Sequence, residues 1–240
     1  MERLTRQLEF VREAGRLRSV LRLTELTDPP RLENSAEHSW HLAVMALALG
    51  EHAPEGTDLA TVIAMLVLHD LVEIDAGDLS AHAPAAAQAR QGIAERAAAD
   101  RLFAILPANQ ARGLRRLWDE FEERVSPEAR FARALDRLQP MLENVRAGGR
   151  AWRAQGVTAG QVLSKVTLIE DGSPALGAFA RELIEQAVTD GILAPGPAPE
   201  PPPPPPQQQR KADQRREADQ EREPAQAQEQ QPETEADARC

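Results

Sequence analysis

Residues 58–79 read DLATVIAMLVLHDLVEIDAGDL, and this stretch decides the fold class. Asp58 is a helix N-cap residue type, and the spacing predicts a helix from there through Ile74. Within it, Val62–Leu68 is apolar on every side, so the helix is expected to be buried inside a larger helical body. Seven apolar residues are far short of the roughly 20 that a membrane span needs. The apolar run ends on His69-Asp70. A buried carboxylate without a partner is costly, so Asp70 needs a cation or an extensive set of donors. Glu73 follows four residues after His69 and three after Asp70, on the same side of the helix.

On either side of this stretch, the body has the same helical character. Leu4, Leu8, Val11, Leu17 and Leu21 repeat at helical spacing and predict a first helix. Asn34-Ser-Ala-Glu37 is a capping-box start for a helix whose apolar face is Leu42, Met45 and Leu49. Further helical windows fall at 85–105, 108–123, 127–147 and 175–190, broken by Pro107, Pro127, Gly148-Gly149 and Pro174. No alternating run of β-branched residues predicts a sheet. The fold class expected is all-α, a compact helical bundle over residues 1–193.

Composition changes abruptly after Leu193. Residues 194–240 hold 11 of the 19 prolines and, apart from Cys240, no apolar side chain larger than Ala. Such a segment cannot bury enough surface to offset its ordering entropy, so a disordered Pro/Gln/Arg/Glu-rich tail is expected. Its Pro201–Pro206 run reads as a stiff polyproline II spacer.

The formal net charge of −10 disfavours a binder of nucleic-acid polymers. Cys240, the single cysteine, excludes a disulfide framework and a cysteine-based metal cluster. The N-terminus has no apolar segment of the secretory type. A cytoplasmic protein with no membrane partner is expected.

The chemistry-bearing side chains are few. Imidazole nitrogen and carboxylate oxygen suit a divalent transition metal. His38 near the start of one helix, His69-Asp70 at the end of another, and Asp136 in RFARALDRLQPML form a possible ligand set. Each has an ordinary reading as well. Asp136 alone could be a salt bridge to Arg133 or Arg137, and Glu73 a solvated helix end. His41 is expected to pack or hydrogen-bond, His52 and His82 to lie at the surface or in loops, and Trp40, Trp118 and Trp152 to fill core or interface space.

Taken together, Ala36-Glu37-His38-Ser39, His69-Asp70-Leu-Val-Glu73 with Gly77-Asp78-Leu79, and Ala134-Leu135-Asp136 resemble the successive motifs of the HD-domain metal-dependent phosphohydrolases. The branch resembled most is the 5′-deoxynucleotidases. Order, spacing and flanking residues agree from about Leu4 to Arg146. The resemblance implies that His38, His69, Asp70 and Asp136 ligate one divalent metal (Mn, Co, Fe, Ni or Zn). It implies a catalytic carboxylate at Glu73, a second at Asp78 close to the scissile ester, and a phosphate-binding arginine at Arg22 near the end of the first helix. Where the branch has a tryptophan shortly after that arginine, this chain has Leu23-Thr24-Glu25-Leu26.

The function expected from the resemblance is metal-dependent hydrolysis of (deoxy)nucleoside 5′-monophosphates, small-molecule nucleotides, by a homodimer. Two alternatives stand beside it. One keeps the metal site but takes another small phosphate ester; the other is a non-catalytic metal-binding module that presents its tail to a partner.

Overall fold

A computed structural model describes residues 1–196. The expectations for the tail from residue 197 onward lie outside the described residues. The chain runs α1 (Glu2–Ala14), a 3₁₀ turn (Gly15–Ser19), β1 (Leu21–Thr27), β2 (Pro30–Asn34), α2 (Ser35–Leu49) and α3 (Leu59–Leu68). After a second 3₁₀ turn between α2 and α3 (Gly50–His52), a third (His69–Val72) leads from α3 to α4 (Glu73–Ala76), then α5 (Ala85–Phe103), α6 (Ala108–Glu123), α7 (Pro127–Arg146), α8 (Arg150–Gln155), α9 (Ala159–Gly172) and α10 (Pro174–Thr189). The all-α class holds, with one small antiparallel hairpin added. Among the described residues no helix is long and apolar enough to cross a membrane.

Local signals set the helix starts. The Asn34 side chain accepts from the Ala36 and Glu37 amides, while Glu37 accepts from the Asn34 amide, closing the expected capping box of α2. Asp58 caps α3, and Ser126 and Ser173 cap α7 and α10 with proline at the first helical position.

Helix α7 is the centre of the bundle, packed against α2, α3, α6, α9 and α10. Its Phe131, Leu135 and Leu138 join Leu42, Val62, Leu66, Val166 and Ile169 in one buried cluster. Full burial of each large apolar side chain contributes roughly 1.5–3 kcal/mol. At Gly172, where α9 meets α7, any side chain would collide with the Arg130 backbone carbonyl.

Four expectations need correction. Helix α1 ends at Ala14, and Leu21 opens β1 rather than continuing a helix. Leu4, Leu8 and Val11 are exposed, so their helical spacing marks a helix but not a core face. The hairpin escaped notice because β1 and β2 are short and neither alternates cleanly in burial. Helix α9 lies in a window read as unassigned, although Thr158 and Gln161 close a capping box there. Of the three tryptophans read as filling core or interface space, Trp118 and Trp152 lie in the core, whereas Trp40 is 67% exposed and lies outside it.

The helix predicted from Asp58 through Ile74 stops early. It gives way after Leu68 to the tighter turn His69–Val72. Side chains take two of the carbonyls there: His69 Nδ1 is 2.8 Å from the Leu66 carbonyl, and Trp118 Nε1 donates to the His69 carbonyl at 3.1 Å. Such competition for backbone groups favours the local change of winding. Small apolar clusters flank the turn, Leu17, Leu68 and Leu71 in one, Val72, Phe103 and Trp118 in the other. The turn is thereby clamped at the point where the polar residues begin.

Candidate metal centre

The capping box places the first turn of α2 against α7, so Ser35 and His38 are fully buried. On α7, Gln139 follows Asp136 by three residues and therefore shares its face. Gln139 Nε2 donates to Glu33 Oε1 at 2.8 Å, which turns its Oε1 toward His38 Nδ1 at 3.0 Å. That oxygen only accepts, so Nδ1 of His38 carries the hydrogen. His69 Nδ1 likewise faces a carbonyl, that of Leu66. In both rings the acceptor on Nδ1 selects the tautomer that aims an Nε2 lone pair inward, the usual outer support of a histidine ligand.

The inward atoms converge. His38 Nε2 is 3.2 Å from Asp136 Oδ1, and His69 Nε2 is 3.6 Å from the same oxygen and 2.9 Å from Asp70 Oδ1. Ligand atoms of His38, His69 and Asp136 all lie within 4.8 Å of one another. Around an ion with bonds of 2.0–2.1 Å, ligand atoms sit about 3–3.4 Å apart, so little contraction is required. His69 Nε2 is buried and has no hydrogen-bond partner among the described residues. An orphaned imidazole nitrogen beside two carboxylates fits a divalent cation. Asp70 stands at the edge of this group, 4.0 Å from His38 Nε2 through Oδ2, and that oxygen accepts from Arg22 Nη1 at 2.7 Å.

The electrostatics agree. Burial disfavours a charged His69, yet Asp70 and Asp136 overcome it and push the ring up to about 10. In the metal-free protein a proton thus stands where the carboxylates attract positive charge, and metal binding releases it. Burial also works against charge on Asp136, but Arg137, His38 and His69 hold it well below the usual carboxylate range. The salt-bridge reading of Asp136 is met, and it leaves the other oxygen free to face the histidines. Its Oδ2 accepts from Arg133 Nη1 at 3.2 Å and lies 3.5 Å from Arg137 Nη2, while Oδ1 faces the histidines.

Glu73 opens α4 and is buried, not solvated. Its Oε2 accepts from Ser35 Oγ at 2.6 Å. Burial, then the negative charge of Asp70, pushes Glu73 up to about 9. Gly77, at φ +73°, turns the chain sharply after α4 and brings Asp78 to the same cleft. Burial raises Asp78 as well, with Arg22 opposing.

Arg22 lies on β1, not at the end of a helix. Besides Asp70, its Nη1 is 3.7 Å from Asp78 and 3.8 Å from Glu73, and its Nε is 3.5 Å from Glu33. The guanidinium therefore compensates a cluster of carboxylates while bordering the cleft. All these residues line or back one cavity of about 310 Å³, at the lower end of the roughly 300–1,000 Å³ typical of small-molecule sites. His82, expected at the surface or in a loop, lies in the loop between α4 and α5, half-buried along the cavity wall, and Leu23 borders the cavity where the related branch has tryptophan.

Sequence reading missed Gln139, Glu33 and Ser35. The spacing from Asp136 could have flagged Gln139. Glu33 and Ser35 flank the capping residue Asn34 and carry no signal of their own.

Fold and site together define a class of protein: a helical bundle that gathers two histidines and aspartate around a position suited to a divalent cation. The chain belongs to the HD-domain family, whose model matches residues 14–177. It is 30% identical to 5′-deoxynucleotidase HDDC2 of Xenopus laevis and 27% identical to that of Homo sapiens, over 57% of this chain in each case. The matches cover 66% and 65% of those proteins, so the chain spans just under two thirds of the length of the curated relatives it matches. Among solved structures it is similar to a predicted metal-dependent phosphohydrolase from Magnetospirillum magnetotacticum, with TM-score 0.77 and 48% identity over 81% of this chain and 100% of that one. A conserved hypothetical protein from Pyrococcus furiosus shares the fold, with TM-score 0.51 and 21% identity over 76% of this chain and 99% of that one.

Proposed function

We propose that the chain is a divalent-metal-dependent phosphomonoesterase that hydrolyses (deoxy)nucleoside 5′-monophosphates to nucleoside and phosphate. The observation that carries this reading is the pair of inward-facing Nε2 atoms. Each is fixed by an acceptor on its Nδ1, and both converge on Asp136 with Asp70 and Glu73 adjacent. The substrate class rests on the 5′-deoxynucleotidases among the relatives.

His38, His69, Asp70 and Asp136 would hold the ion, and two carboxylates balance its two charges. When bound, such an ion supplies Lewis acidity toward a phosphate ester and acidifies water. Burial and Asp70 favour a protonated Glu73, whereas a bound dication would favour its ionised form, which would accept a proton from the attacking water at the oxygen not held by Ser35. Asp78, also raised, is placed to return a proton to the leaving 5′-oxygen. Arg22 holds these carboxylates in place and presents positive charge to the phosphate.

A phosphate-release screen of all ribo- and deoxyribonucleoside 5′-monophosphates with Mn²⁺, Co²⁺ and Mg²⁺ tests the proposal. Release from at least one series is expected. No release from any of them overturns it.

A further inference from the structure

The carboxylates account for only part of the cleft. The rest of its lining is mixed, with Glu95 and Glu122 beside three basic side chains of which the monoesterase chemistry above makes no use. Arg124 caps the end of α6, Arg137 follows Asp136 on α7, Lys165 lies on α9, and all three line the same cavity as His69, Asp70 and Glu73. Among the described residues, neither Arg124 nor Lys165 has a carboxylate within 4.0 Å, in contrast to Arg22 and Arg133 with their close acidic partners. Arg137 has only the distant contact to Asp136, and its buried Nε has no hydrogen-bond partner among the described residues.

These cations crowd one another. Burial lowers Lys165, and then Arg137 and Arg124 lower it further. The same neighbourhood pushes His82 down to about 4, through burial first and then Lys165 and Arg137. Glu122 and Asp136 offset part of this positive charge, and an anion in the cleft would offset more of it.

The backbone at Arg124 adds an independent observation. It has φ 59° and ψ 33°, the left-handed conformation that glycine or asparagine ordinarily supplies after a helix. Among the described residues it is the one non-glycine residue with positive φ. The chain accepts this strain and gains a guanidinium at the mouth of the cleft.

We propose that Arg124, Arg137 and Lys165 form a second anion subsite, which receives a second phosphate of the substrate while the first lies at the metal centre. The substrate class is then nucleotides bearing a phosphate in addition to the scissile 5′-phosphate. This rests on the phosphomonoesterase reading for the identity of the reacting group, but not for the existence of the subsite. The second phosphate is carried either on the sugar 3′-oxygen, where the scissile 5′-phosphate stays a monoester, or as the next phosphate in a 5′-chain, where water cleaving the bond to the 5′-oxygen releases nucleoside and diphosphate; in both cases the cations meet a terminal dianionic phosphate.

Two measurements on the full chain test it. The first is calorimetric titration of the Mn²⁺-loaded Glu73→Gln variant, in which hydrolysis is suppressed, with dAMP, with 2′-deoxyadenosine 3′,5′-bisphosphate and with dADP. At least one doubly phosphorylated ligand should bind about tenfold or more tightly than dAMP, one charge-assisted contact being worth at least that factor. In Arg124→Gln/Lys165→Met the advantage should fall to about onefold, and Lys165→Arg should retain most of it. The second is the ratio of kcat/KM for each doubly phosphorylated substrate to that for dAMP in the Mn²⁺-loaded enzyme, which should follow the same pattern. A gain confined to the bisphosphate places the second group across the sugar, and a gain confined to dADP places it along the chain; either supports the subsite. Equal affinity for all three ligands overturns it. So does an equal loss on all three in the double variant, since the cations would then serve the scissile phosphate. Failure of the monophosphate screen leaves the titration intact, so the two proposals fail separately.

Discussion

The cleft has two sets of charged side chains built on opposite principles. Around the metal centre, each carboxylate and His38 has a hydrogen-bonding partner: Glu73 has Ser35, Asp70 has Arg22, Asp136 has Arg133 and His38 has Gln139. The cationic set of Arg124, Arg137 and Lys165 has almost no internal partners. The first set is preorganised, with its nitrogen and oxygen atoms facing one position. The second is a surplus of positive charge facing open space. A matched network resists change as a unit, because removing one member strands the others in a low-dielectric interior. An unmatched set loses little in the free protein and shows its worth only with an anion present.

The contrast is broken most severely by Asp136→Ala. It removes the carboxylate on which both histidine Nε2 atoms converge, so metal occupancy by elemental analysis should collapse and turnover should fall to background. Unchanged occupancy would leave Asp136 only as an ion-pair partner of Arg133. Glu73→Gln comes next. Turnover should drop by on the order of 10²–10⁴ while occupancy holds, since the residue is assigned to proton transfer and not to ligation. Loss of metal in that variant would refute the assignment. Gln139→Leu should cost about 10–100-fold in metal affinity, read by competition with a chelating dye, because Nδ1 of His38 loses the acceptor that fixes its tautomer.

The smallest effect concerns the cationic set without a ligand. His82 titrates near 4 in the fold, against an ordinary value of about 6.5. Between those values the unfolded chain binds more protons than the folded one, so stability falls as pH drops through the window. His82→Gln should flatten the decline of Tm between pH 7 and pH 4.5. An unaltered slope would show that His82 is not held neutral by the cations.

How much of this was legible depended on distance along the chain. Helix α6 occupies the window read for it, 108–123, and α5, α7 and α10 lie within a residue or two of theirs, because proline and cap residues mark their limits. His38, His69 and Asp136 were singled out individually, and the fold brings them within 4.8 Å. By contrast, α1 carries an apolar stripe as regular as that of α2, yet Leu4, Leu8 and Val11 face solvent. Periodicity states that a face exists and is silent about what covers it. Arg124, Arg137 and Lys165 escaped notice for a related reason. They come from three helices, in a chain with 28 basic residues, and isolated basic residues are ordinarily solvated.

The sequence by itself therefore determined the local features: the all-helical class, the buried helix that ends in His69-Asp70, the caps at Asn34 and Asp58, and the order of the motif residues. Each depends on propensities and spacings within about one or two helical turns. Only the tertiary structure decided which atoms of those residues face one another, that α3 yields to a 3₁₀ turn at His69, that Arg22 sits on a strand among carboxylates, and that three cations share the cleft with the metal centre. Those outcomes depend on burial and on Coulomb interactions between residues tens to more than a hundred positions apart. Such interactions take effect once chain packing has removed water from between them.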